Sequence, residues 1–235
     1  MNERFLRNAA LIGADKTEFL MGTRIALFGV GGVGGAVLEA LVRSGVGHID
    51  IFDNDTVNIT NINRQLIATE KTVGMKKCDA AELKAKEINP DIKIGKYPIF
   101  YLPENADSVD LSVYDYIVDA IDTVSAKIEL IVRAEKLGVP IISIMGTGNK
   151  LDPTKIEVGD IYKTRECPLC RVMRTELKKR SIKKLSCVWS PEIPIKPNSL
   201  AEQKADGRTA PASMPFVPIA AGVAAASQIV KTLIK

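Results

Sequence analysis

The fold class predicted from the sequence is α/β, a doubly wound, mostly parallel sheet with helices on both faces. Three observations predict it. Apolar runs of strand length alternate with helical patterns from Arg24 to Gly146. Tyr114–Ile121 and Val139–Gly146 are near-continuous apolar runs, as in parallel strands buried on both faces. A glycine cluster from Gly29 to Gly35 directly follows the first run, at the place where a Rossmann-like fold turns from strand to helix.

Taken in order, residues 2–22 carry Phe5, Leu6, Leu11, Ile12, Phe19 and Leu20 at helical spacing, with Arg4 and Arg7 between them. Arg24–Val30 is a strand. Gly32–Arg43 has no proline and stops near Gly45 and Gly47, so it is a helix. His48–Asp53 is the second strand. Gly74–Asn89 is helical and Pro90 stops it; Asp91–Pro98 is a short strand. Tyr114–Ile121 is a strand, Val124–Leu137 an amphipathic helix ended by Gly138, and Val139–Gly146 a strand. Beyond Gly148 the texture changes. Lys155–Tyr162 and Leu185–Ser190 are expected as strands, and Cys167–Lys184 as a basic helix. Val217–Ile234 is expected as a closing helix rich in small residues. Prolines at 191, 194, 197, 211, 215 and 218 mark a loop, mobile near 191–215.

The 235 residues suffice for one generous domain with a core of its own. Hydrophobic residues make up 46% and charged residues 26%, ordinary for a soluble globular chain. No apolar run is expected to span a membrane, and residues 1–20 lack the apolar block of a signal peptide, so a cytoplasmic protein with no membrane partner is expected. Four cysteines are too few for a disulfide scaffold. The net charge of +4 is mild, so where the charge lies matters more than its sum.

Gly29-Val30-Gly31-Gly32-Val33-Gly34 fits the G-x-G-x-x-G pattern between a strand and a helix. Glycines permit the tight turn and let backbone N–H groups approach phosphates at a helix N-terminus. Asp53 ends the next strand, where a carboxylate binds ribose hydroxyls. NAD and ATP fit equally to this point. The next stretch separates them: Asp55, Asn58, Asn61, Asn63, Arg64 and Gln65 crowd one segment and Lys77 follows. A site that holds a triphosphate and loses pyrophosphate needs such donors; a nicotinamide site does not. Asp122 lies just past the strand 114–121, at the carboxyl end where ligands bind in open parallel sheets, and one carboxylate there suits Mg²⁺ beside phosphate oxygens. Asp119 is a competing candidate that alternates into the strand. As plain structure, Asp122 would be a helix N-cap and the polar segment a solvated loop.

Taken together, G-x-G-G-x-G, then D-x-D-x-V-x-x-x-N-x-x-R-Q from Asp53 to Gln65, V-G-x-x-K ending at Lys77, and D-A-I-D from Asp119 to Asp122 resemble the ubiquitin-activating-type (ThiF-like) adenylating family. That resemblance implies binding of ATP and Mg²⁺ and adenylation of a carboxylate. It places Gly29, Gly31, Gly32, Gly34, Asp53, Asp55, Asn61 and Gln65 around the nucleotide, and Arg64 and Lys77 on phosphates. Asp122 would lie on Mg²⁺. It also implies a homodimer in which Arg7 reaches the partner's ATP. Arg4–Gly13, Leu151–Ile161 and Ser186–Glu192 further resemble the branch that works on tRNA, closing threonylcarbamoyladenosine beside the anticodon into a ring by ATP-dependent dehydration. The alternative is adenylation of the Gly-Gly end of a sulfur-carrier protein, as in thiamine or molybdopterin synthesis. Carrier activators hold zinc with two C-x-x-C pairs; here Cys167-Pro-Leu-Cys170 stands alone, with Cys187 and Cys78 at scattered spacing. Cys78, on a helix, is expected to pack; Cys167, Cys170 and Cys187 leave metal, redox or sulfur-relay roles open, the last with a desulfurase-type partner. The expected organisation is one adenylating domain over 1–235, its nucleotide half 1–150 and its substrate-side and dimerisation half 151–235. Arg171, Arg174, Lys178, Lys179, Arg180, Lys183 and Lys184 form the chain's dense basic segment, suited to a phosphate backbone.

Overall fold

The computed structural model describes residues 2–198 and 211–235. Seven strands form one sheet: β1 (Arg24–Phe28), β2 (His48–Phe52), β3 (Lys93–Tyr97), β4 (Tyr116–Asp119), β5 (Ile141–Ile144), β6 (Glu157–Asp160) and β7 (Ser186–Trp189). Their order is β3-β2-β1-β4-β5-β7-β6. All neighbours pair in parallel except β6, which runs antiparallel on β7 at the edge. The sheet direction of travel reverses between β1 and β4, and this switch point opens a crevice at the carboxyl ends of both strands. Strands β6 and β7 come from the segment beyond residue 150 and continue the same sheet.

The helices are α1 (Leu6–Ile12), α2 (Ala14–Gly22), α3 (Gly32–Arg43), α4 (Lys77–Ile88), α5 (Val124–Leu137), α6 (Pro168–Lys179) and α7 (Phe216–Leu233). Their sequence reasons are local. Gly138, in the left-handed region at φ 69°, caps α5, and Pro168 at the first position of α6 gives up only an N–H that has no helical partner. The N-terminal pattern divides in two at Gly13, whose φ of 94° ends α1. The helix expected from Gly74 begins only at Lys77, because Lys76 still bridges back to Thr56. The basic helix ends at Lys179, so Lys183 and Lys184 stand beyond it.

Helices α3 and α7 pack together on one face, and Ala221, Ala225, Ala226 and Ile229 join Val37, Leu38 and Leu41 in the largest core cluster. A second core lies between α5 and α6, and a third, aromatic-rich one lies under β1 and β4. Phe216–Leu233 is long and apolar enough to cross a membrane by length and composition, with mean hydropathy 1.5 over 18 residues. That corrects the expectation that no run reaches this length; its small-residue face is occupied by α3. Of the loop expected near 191–215, residues 199–210 lie outside the described residues. The parts on either side carry no helix or strand up to Pro215.

A candidate nucleotide site at the switch point

The crevice is a cavity of about 790 Å³, within the range of small-molecule sites. Its floor starts at the glycine turn. Gly29 has φ 85°, and a Cβ there would stand 2.7 Å from the Ala120 carbonyl oxygen. Gly31 and Gly32 line the cavity where α3 begins, so free helix N–H groups face into it. Gly34 does not line it. A Cβ on Gly34 would fall 1.9 Å from the Gly29 carbonyl oxygen, so this glycine brings helix and turn together instead of touching a ligand.

Asp53, one residue past β2, accepts the Val30 N–H at 2.8 Å and the Asp55 N–H at 3.0 Å. The carboxylate is thereby fixed against the glycine turn, with lone pairs to spare for hydroxyl donors. Asn58 and Asn61 form a reciprocal capping box, so the Asn61 side-chain oxygen is committed to the Asn58 N–H and its amide N–H groups are what it offers a ligand. Arg64 is half-buried and braced on the Thr60 carbonyl and the Asn63 side chain, and it lines the cavity. Lys77, at the start of α4, is buried and donates to Asp55 at 2.6 Å. Two residues expected as separate nucleotide contacts are therefore a pair in this structure. Gln65 is buried against the cavity with its side-chain oxygen unpartnered, and its amide nitrogen lies beside Gly31. An unpartnered acceptor buried against the cavity is open to a donor from a ligand or from water.

Across the cavity Asp122 is exposed, with one weak contact from the Thr123 hydroxyl at 3.4 Å. Asp119, the competing candidate, is fully buried and bound to Lys127 and Ser143, so it is not available to a ligand. Among the described residues no cluster of three or more His, Cys, Asp or Glu is placed to hold a metal. A single cavity carboxylate suits Mg²⁺, which takes one or two carboxylates and completes its shell with phosphate oxygens and water. Arg7 lies elsewhere. It is exposed on α1, whose Asn8 donates to the Arg43 carbonyl at the far end of α3, so α1 sits at the opposite edge of the sheet.

Several cavity residues are absent from the sequence reading. Phe52, Ile99, Phe100 and Tyr101 form an apolar wall, with Phe52 stacked on Phe28 and Tyr97 at 4.2 and 4.5 Å. Burial pushes the Tyr101 phenol up to about 12. Ile99–Tyr101 follows β3 directly, and the shared carboxyl edge of a parallel sheet is the signal that would have found it. At the other end Met145–Gly148, Leu169, Pro211 and Ser213 close the cavity. Residues 195 and 212 both bond to Asn149, itself at φ 61°. The cysteines stay clear of solvent. Neighbouring Cys170 draws the Cys167 thiol below its usual range, while burial pushes Cys187 up to about 12. All four are buried, free thiols.

Fold and cavity define a doubly wound nucleotide-binding protein in which cationic and amide side chains follow the glycine turn in sequence. The chain belongs to the ThiF family, whose model matches residues 5–235. It is 39% identical to the tRNA threonylcarbamoyladenosine dehydratase of Bacillus subtilis, over the whole of this chain and 96% of that one. It is 35% identical to the Escherichia coli enzyme of the same name, over 84% of this chain and 76% of that one. The crystal structure of the E. coli dehydratase with AMP superposes with a TM-score of 0.89 at 32% identity, covering 99% of this chain and 94% of that chain. E. coli MccB with ATP, at 22% identity and TM-score 0.70, shares the fold.

Proposed function

We propose that the protein dehydrates threonylcarbamoyladenosine next to the anticodon of tRNA, using ATP to adenylate its carboxylate. The carboxylate oxygen bonds to the α-phosphorus of ATP and pyrophosphate leaves. The ureido nitrogen or oxygen of the same nucleoside then attacks the acyl carbon, closing the ring and releasing AMP. Atoms balance as substrate plus ATP giving cyclic product, AMP and pyrophosphate, and no protein nucleophile is required. The observation that carries this reading is the convergence of Arg64 and Lys77 with Asp122 on one glycine turn, in a chain matched end to end by a dehydratase.

In this reading Asp53 orients the ribose, and Gly31, Gly32, Asn61, Gln65, Arg64 and Lys77 hold the nucleotide and its phosphates. Asp55 holds Lys77 until phosphate takes its place. Asp122 would hold Mg²⁺, which supplies charge stabilisation at the transferring phosphate. The polyanion lies along α6 and its exit. There Glu176 already binds Lys179 and Arg180 at 2.7 and 2.8 Å, and Arg174 is turned onto Thr164. Arg171, Lys178, Lys183 and Lys184 are exposed and carry the contact to phosphates. A homodimer brings Arg7 to the partner's ATP, since its own cavity lies across the sheet. The open apolar groove formed by Pro153, Ile156, Phe216, Ile219 and Val223 supports such an interface. Four buried free thiols are in keeping with the cytoplasm and give a sulfur-relay partner no accessible carrier. The test is mass spectrometry of tRNA nucleosides after incubation with protein, ATP and Mg²⁺. Loss of one water from threonylcarbamoyladenosine is expected. An unchanged nucleoside together with pyrophosphate exchange driven by a Gly-Gly-ending carrier protein would overturn the reading.

A further inference from the structure

Asp122 bears the metal in the proposed function, yet its own side chain is held by almost nothing. What fixes it lies one layer deeper. Lys127 projects from the first turn of α5 and is fully buried. Its ammonium donates to Asp119 at 2.9 Å, to the Ile144 carbonyl at 2.9 Å and to the Ile121 carbonyl at 3.2 Å. Three N–H donors meet three acceptors, so the group is saturated. Asp119 accepts from Lys127 and Ser143 on one oxygen, and from the Ile121 N–H at 3.2 Å on the other. Ile121 is thus gripped on both sides, its N–H by the aspartate and its carbonyl by the lysine. The next residue is Asp122. The third arm, on Ile144, ties this turn to the β5 end, from which Met145–Gly148 enter the cavity wall.

We infer that Lys127 and Asp119 are positioning residues: a buried ion pair that touches no ligand and sets the backbone from which Asp122 reaches the metal–nucleotide complex. The inference rests on the proposed function and adds to it the part that makes Asp122 a competent ligand. Substituting partners of a metal ligand costs 10–100-fold in affinity or activity.

The experiment measures Mn²⁺ binding, by the loss of its free electron-spin resonance signal, in the presence of a non-hydrolysable ATP analogue. The proteins are wild type and the double variant Asp119→Asn/Lys127→Met, which removes both charges together so that neither is left buried alone. The expected result is an Mn²⁺ dissociation constant raised about tenfold or more, with metal-free affinity for the analogue within about twofold of wild type. Dehydration should lose kcat more than it raises KM for ATP. If the double variant does not fold, Ser143→Ala stands in. It removes one donor from Asp119 and keeps the ion pair, and a smaller rise in the same constant is expected. A folded variant with wild-type Mn²⁺ affinity overturns the inference. Absence of nucleotide-dependent Mn²⁺ binding in the wild type overturns the Mg²⁺ assignment itself, and the inference with it.

Discussion

Lys77–Asp55 and Lys127–Asp119 are both lysine–aspartate pairs, one lining the cavity and one a layer beneath it, closed at 2.6 and 2.9 Å. They differ in what surrounds them. The Asp55 side chain is 59% exposed, and Lys77 makes its bond at the open mouth of the site. Water screens this carboxylate, so its hold on the lysine is weak and a phosphate can replace it. Asp119 and Lys127 are both fully buried, and each spends its hydrogen-bonding capacity on backbone or on Ser143. No ligand can take that lysine without unmaking three bonds. One pair is an exchangeable cation and the other is framework, and burial alone decides which.

The largest effect is expected where a charge meets the reacting phosphates. Lys77→Ala and Asp122→Asn should each cut dehydration on the order of a hundredfold or more in steady-state assays, with the thermal midpoint little changed. The contrast with Lys127→Met is the sharpest test of the comparison. Truncating one member of a buried pair strands the other, so this variant should lose about 3–5 kcal/mol in urea unfolding. The double variant with Asp119→Asn should recover most of it. Equal stability losses for Lys77→Met and Lys127→Met would break the distinction between the two pairs.

Much of this was legible in the sequence, and for a physical reason. Gly29–Gly34, Asp53 and Asp122 lie within a few residues of the ends of β1, β2 and β4, and in a parallel sheet those ends share one edge; Arg64 and Lys77 lie farther on, in the stretch that leads from β2 into α4, and line the same cavity. Order along the chain therefore becomes position in space. Lys127 was illegible because it occupies an ordinary place in an amphipathic helix, where a lysine reads as solvated. Only the bend of the chain after β4 and the neighbouring end of β5 bring a carboxylate and two carbonyls around it. Gly34 shows the converse: it belongs to the glycine motif but packs the turn against the helix.

The same separation of free from committed charge extends to α6. Neutralising Arg171, Lys183 and Lys184 should flatten the salt dependence of tRNA binding by about 0.7–0.9 of a log–log unit per lost phosphate contact. Neutralising Lys179 and Arg180, already spent on Glu176, should do less; filter binding across a salt series reads both. The smallest effect belongs to Asp55→Asn, expected to shift stability by no more than about 1 kcal/mol in the same urea titration.

Asn149 has a consequence for how this chain can be altered. Its carbonyl takes the Ile195 N–H, and its side chain and N–H hold Ala212 on both sides. Residues 195 and 212 are thus tied to one residue, and Pro211 and Ser213, on either side of the second tie, stand in the cavity wall. Replacing Asn149 by alanine removes the acceptor of the Ala212 N–H, so this part of the wall should loosen and nucleotide affinity should fall, read by titration with the nucleotide.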